Sequence, residues 1–114
     1  MYKYKIGDMT DVVLVLTTWP GGADADAVAH SLVEAKLAAC VVVGPPVRST
    51  YHWQGAVESA TERPVTIKTT VERVAALEAA LLRVHPYDVP EFLVVPVTAG
   101  GEDYLAWVRA TTAE

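Results

Sequence analysis

Val12 to Leu16 is an unbroken run of β-branched and aliphatic residues, the pattern of a strand covered on both faces. Trp19-Pro20-Gly21-Gly22 breaks it. From Asp24 the spacing of Val28, Leu32, Ala35 and Ala39 predicts a first helix, with Asp24 and Asp26 at the positive end of its dipole. Cys40 to Val43 is a second short apolar run. Strand, helix and strand thus fall within roughly thirty residues, the length of a right-handed β-α-β crossover. Gly44-Pro45-Pro46 interrupts the second strand, which resumes as Val47 to Trp53. Because proline cannot donate to a ladder, this strand is expected at a sheet edge or with a bulge at the break.

Gln54-Gly55 reads as a tight reversal into a third strand marked by Val57, Val65, Ile67 and Thr69, so the second and third strands form a long hairpin. Thr69 and Glu72 have capping-box spacing. The stripe Val74, Leu77, Leu81, Val84 then predicts a second helix, which Pro86 stops because it disfavours α geometry at His85. Phe92 to Val97 reads as the fourth strand. A closing helix starts near Glu102, with Tyr104, Leu105 and Val108 on one face and Trp107 beside them. The order β-α-β-β-α-β plus a terminal helix predicts an α+β, ferredoxin-like sandwich with an extended hairpin.

Composition adds an expectation about assembly. The chain has 114 residues, the size of one domain, yet 52% of them are hydrophobic and mean hydropathy is +0.26. So much apolar character in a small domain implies surface buried against further copies. The net charge of −5, with Lys and Arg scattered singly, supplies no basic stripe and argues against nucleic acid. The single Cys40 rules out an internal disulfide and fits a reducing compartment. Gly7, Asp8, Thr10 and Asp11 stand where a signal peptide would need apolar residues, and Val12 to Leu16 is too short to span a bilayer. A cytoplasmic location, away from membranes, is therefore expected.

Six segments carry a family resemblance: Leu37-Ala38-Ala39-Cys40-Val41, Tyr51-His52-Trp53-Gln54-Gly55, Glu58 with Glu62, Ile67-Lys68-Thr69, His85-Pro86-Tyr87 with Pro90-Glu91, and Tyr104-Leu105-Ala106-Trp107. In order and spacing the chain from Val12 to Thr111 resembles the CutA divalent-cation tolerance family. The resemblance divides the chain into an N-terminal extension, residues 1–11, and a CutA-like domain, residues 12–114. It implies a compact homotrimer in which the long hairpin reaches neighbouring subunits. The sequence agrees independently, since a long edge strand bearing Val47, Tyr51 and Trp53 invites aggregation unless another chain covers it.

The resemblance also implies a link to copper or other divalent cations, through a Cys ending the first strand and two His residues before Pro-Tyr. The corresponding residues here are Thr17, Val84 and His85, so only one soft donor is kept. His85 is the candidate metal ligand, with Asp88 or Glu91 as acidic neighbours, against a capping or hydrogen-bonding role for the same ring. No cofactor is required. Cys40 lies in an apolar run without a nearby base, the setting of an inert thiol.

Tyr51, Trp53, Tyr87 and Trp107, with Tyr104, suit an apolar pocket whose polar contacts come from Lys68, Glu91 and His85, and Glu58 and Glu62 join these as the titratable cluster of a cleft between subunits. The same residues suit trimer packing and an interface ion-pair network. Function is expected to be that of a non-enzymatic trimer in divalent metal tolerance, holding a metal ion or small ligand at clefts between subunits. One alternative is a signalling trimer resembling the PII proteins, but the segment from Gly55 to Pro64 is too short for their mobile loop. Another is an acylphosphatase-like hydrolase, which would want an Arg after the first strand and an Asn to place water. The loop has no Arg and the chain no Asn.

Overall fold

The computed structural model describes residues 10–114; residues 1–9, most of the expected N-terminal extension, lie outside the described residues. The elements in chain order are β1 (Val12–Pro20), α1 (Ala25–Glu34), β2 (Cys40–Val43), β3 (Val47–Trp53) and β4 (Ala56–Thr70). A 3-10 turn (Val71–Arg73), α2 (Val74–Val84), β5 (Leu93–Pro96) and α3 (Glu102–Thr112) follow. All five strands form one antiparallel sheet of order β2-β4-β1-β5, with β3 continuing along β4 beyond β2. The fold is therefore α+β, with β1 and β2 on either side of β4 as a split β-α-β unit requires.

β2 and β3 are one edge strand with a break, as the prolines imply. The Gly44 amide donates to Pro64 O at 2.8 Å, and Arg63 Nε donates to Gly44 O at 3.0 Å. A Cβ on Gly44 would stand 2.8 Å from Pro64 Cγ, so the break needs glycine here. Replacing Gly44 with alanine is expected to cost about 1–3 kcal/mol through this overlap, measured by urea unfolding. The reversal joining β3 to β4 uses Gln54 and Gly55 at φ 51° and 82°, the left-handed pair of a type I′ turn.

One face of the sheet packs against α1 and α2 through Val15, Trp19, Val65, Ile67, Leu77 and Leu81, all buried. α3 covers a corner of the other face, where Val12, Ala39 and Val108 are buried with Val97 and Leu105 against them. The rest of that second face is open. Two rows cross it: Cys40, Lys68, Leu14, Val95 and, one step along, Val42, Thr66, Leu16, Leu93. Cys40 belongs to the open face and is half-buried.

Three local expectations are corrected. The first helix ends at Glu34, because Lys36 turns the chain at φ 61° and the Leu37 amide closes on Leu32 O. Ala35 is exposed as a result, and Ala39 packs in the α3 corner instead of on a helical stripe. Thr69 caps nothing: β4 continues through Thr70, paired with Val12, and Thr69 Oγ1 donates to Leu37 O at 2.8 Å. Val84 is exposed at the end of α2, so the buried stripe narrows to Leu77 and Leu81. Thr10 and Asp11 hydrogen bond to Val97 and Val71, which joins them to the domain.

Candidate functional site

The C-terminal end of β1 runs past β5, whose pairing stops at Leu16 opposite Leu93. The segment 85–91 fills the vacant edge. His85 closes α2 through its amide to Leu81 O, and its Nε2 lies 2.8 Å from Thr18 O. Its Nδ1 accepts from the Tyr87 amide at 3.1 Å. An amide can only donate, so the proton of this imidazole is on Nε2 and the ring donates to Thr18 O. The ring centroid is 4.2 Å from that of Trp19 and 4.9 Å from that of Tyr87. His85 thereby ties the segment to the core tryptophan.

Tyr87 is aimed by this clamp. Its hydroxyl donates to Glu62 Oε1 at 2.8 Å, and Thr18 Oγ1 reaches the same oxygen at 3.4 Å. Glu62, only 8% exposed, lies in β4 opposite both Pro20 and Val47, where the hairpin leaves the sheet. Strand alternation puts Ser49, Tyr51 and Trp53 of β3 on one face of the hairpin with Glu58 and Glu62 of β4. Between that face and the 85–91 segment is an open groove of about 700 Å³.

Burial, then the hydrogen bond to Glu62 and its negative charge, then Tyr51, push the Tyr87 phenol from 10.0 up to about 12. The raised value means that the folded protein holds this proton after the unfolded chain has lost it. The contribution to stability is complete below pH 10 and is lost as pH rises through about 12. Ultraviolet titration should show one tyrosine ionising last. Tyr87→Phe should remove that step and reduce the fall in stability between those two pH values.

Six of the residues expected at the site line this one groove: Tyr51, Trp53, Glu58 and Glu62 from the hairpin, Tyr87 and Glu91 from the following segment. Lys68 and Trp107 are elsewhere, near α3. Lys68 Nζ stands 5.6 Å from the ring centroid of Tyr104, which is 5.4 Å from that of Trp107. Sequence reasoning missed Ser49 and Val89 as lining residues and Trp19 as the support behind them. Alternation along β3 from Tyr51 would have found Ser49. A second depression, by Arg73 and Arg109, is spanned by ion pairs to Glu114 and Asp11 and reads as a structural tie.

The donor set at the resemblance-implied copper position does not fit that metal. Thr17 is 1% exposed and offers a hydroxyl, Val84 offers nothing, and both ring nitrogens of His85 are engaged. Coordination through Nδ1 would displace the Tyr87 amide. Among the described residues, no three His, Cys, Asp or Glu side chains come together as a metal-holding group.

An α+β domain of one antiparallel sheet and three helices, with an acidic and aromatic groove beside its hairpin, defines the class. Its fold matches the crystal structure of CutA1 from Oryza sativa with a TM-score of 0.87 at 34% identity, covering 93% of this chain and 97% of that one. CutA from Xylella fastidiosa matches at 0.86 with 38% identity, covering 90% and 99%. A divalent-cation tolerance protein CutA from Pectobacterium atrosepticum is 44% identical over 103 residues, 90% of this chain and 94% of the relative. The family model of the CutA1 divalent ion tolerance protein matches residues 13–111. The chain belongs to that family, which is a divalent-cation tolerance family and not a known enzyme family.

Proposed function

We propose that this chain acts in divalent-cation tolerance as a homotrimeric, non-enzymatic, cytoplasmic protein that holds a small ligand or cation in the Glu62–Tyr87 groove, at a junction between subunits. Glu62 is the observation that carries the reading. A carboxylate buried to this degree is costly unless a partner reaches it, and here it is fixed by Tyr87 and Thr18 at the edge of an open groove. The chain keeps two of its aromatic side chains, Tyr51 and Trp53, partly exposed beside it.

The open sheet face supports the trimer. Val42 and Leu93, about half exposed, with Thr66 and Leu16 between them, form a largely apolar row that a single chain leaves in water. The free edge of β3 adds unpaired backbone groups next to the groove. Support for a binding role over catalysis comes from the nucleophiles and bases. Cys40, although it pairs with Lys68 instead of lacking a basic neighbour, does not line the groove, and His85 has no free nitrogen. β4 is strand from Ala56 onward, which disfavours the PII-like loop. No helix among the described residues is long and apolar enough to cross a membrane.

Light scattering tests the assembly: a mass of about 37 kDa is expected, three times the 12.3 kDa chain. A 12.3 kDa species at micromolar concentration would overturn it. Thermal-shift screening against divalent cations and nucleotides tests the site. Stabilisation lost in Glu62→Gln is expected, whereas stabilisation that depends on His85 and not on Glu62 would contradict the placement.

A further inference from the structure

Resting on the reading of this groove as the ligand site, we propose that its ligand is an organic ammonium cation, of the aliphatic diamine or polyamine class, held by Glu62 and by the faces of Tyr51 and Trp53.

Charge sets the sign of the ligand. Four carboxylates line the groove, Glu58 and Glu62 on one side and Asp88 and Glu91 on the other, with no Lys, Arg or His among its lining residues. Glu62 forms no ion pair among the described residues. Its Oε1 takes the Tyr87 hydroxyl and Thr18 Oγ1, while its Oε2 accepts no hydrogen bond from the described residues. Glu62, a groove-lining residue more than nine-tenths buried, therefore keeps one carboxylate oxygen without a donor among the described residues, and an N–H donor of positive charge in the groove would complement it.

The remaining surface separates an organic cation from a metal ion. A hard divalent cation needs several oxygen donors converging at short range, and no three acidic or imidazole side chains do so among the described residues. Tyr51 and Trp53 are both 40% exposed, and Val89 and Pro90 add apolar surface opposite them. Aromatic faces attract an ammonium group, and the apolar stretches between the carboxylates suit methylene spacers. Carboxylates on both walls match a ligand with more than one ammonium.

The test is calorimetric titration of the full chain with spermidine, putrescine and, as counter-probes, magnesium, copper(II) and ATP. Saturable spermidine binding, one per chain, is expected, weakening by about tenfold or more in Glu62→Gln and in Trp53→Ala, and with added salt. Should Glu62→Gln fail to fold, Glu58→Gln at the exposed rim is expected to weaken spermidine binding about threefold. Spermidine binding unchanged by all three substitutions would overturn the ammonium assignment. So would saturable binding of ATP or a metal ion, lost in Glu62→Gln, without any of spermidine, and that result would leave the groove itself standing as a ligand site. If no probe binds and Glu62→Gln lowers the mass seen by light scattering, Glu62 is an interface residue and the groove reading fails as well.

Discussion

Trp19→Ala should destabilise the fold by about 3–5 kcal/mol, a large part of the roughly 5–15 kcal/mol that holds a typical domain. The ring is 3% exposed, sits in the core between sheet and helices, and supports His85 at 4.2 Å. Its loss leaves a cavity and also releases the clamp that runs from His85 to Tyr87 and Glu62. Two readouts should therefore move together: the urea midpoint falls, and the late tyrosine titration shifts back toward 10.0 as Tyr87 leaves Glu62. Trp19→Phe keeps an aromatic partner for His85 and should recover most of the titration with only part of the stability. If Trp19→Ala lowered stability but left the tyrosine unchanged, the core would not be what aims the groove.

Leu93→Glu should have the other large effect, on assembly instead of on the folded chain. Leu93 is 54% exposed and lies at the end of the largely apolar row through Leu16 and Thr66 to Val42. In a monomer the new carboxylate stays in water and changes stability little. In a closed trimer built on this face, one unpaired carboxylate per subunit is desolvated, at several kcal/mol each. The mass is expected to fall from about 37 kDa to 12.3 kDa at micromolar concentration, with circular dichroism retained. An unchanged mass would place the subunit contacts on another surface.

Most of the fold can be read from the residues because its signals are local and redundant. The interrupted edge strand follows from two prolines, the hairpin from Gln54-Gly55, and the central strand from an unbroken aliphatic run. The failures have one physical origin. The end of α1 is set by Lys36 in a left-handed conformation without the usual glycine, and the Thr69 hydroxyl is claimed by Leu37 O, a partner 32 residues away. Tertiary pairing of β4 with β1 decided against a capping box whose spacing was correct.

The site shows the same division. Strand alternation makes Tyr51, Trp53, Glu58 and Glu62 neighbours from sequence alone, as cross-strand registers confirm for Tyr51 and Glu58. The hydrogen-bonding role of His85, which directs Tyr87 to Glu62, depends on an edge of β1 left open by the shortness of β5. Periodicity carries no trace of that. Lys68 and Trp107 belong to family-like segments as the groove residues do, but Lys68 stands six residues along the same face of β4 from Glu62, facing Tyr104, whose ring is beside Trp107.

If ligand enters between the hairpin and the 85–91 segment, chemical-shift mapping of the intact protein during a spermidine titration will locate it there. The predicted result is a saturable set of shifts at the Trp53 indole, Tyr51, Glu62 and Tyr87, with Lys68, Tyr104 and Trp107 unmoved. Shifts centred on the Lys68–Trp107 cluster, or none at the groove, would contradict it.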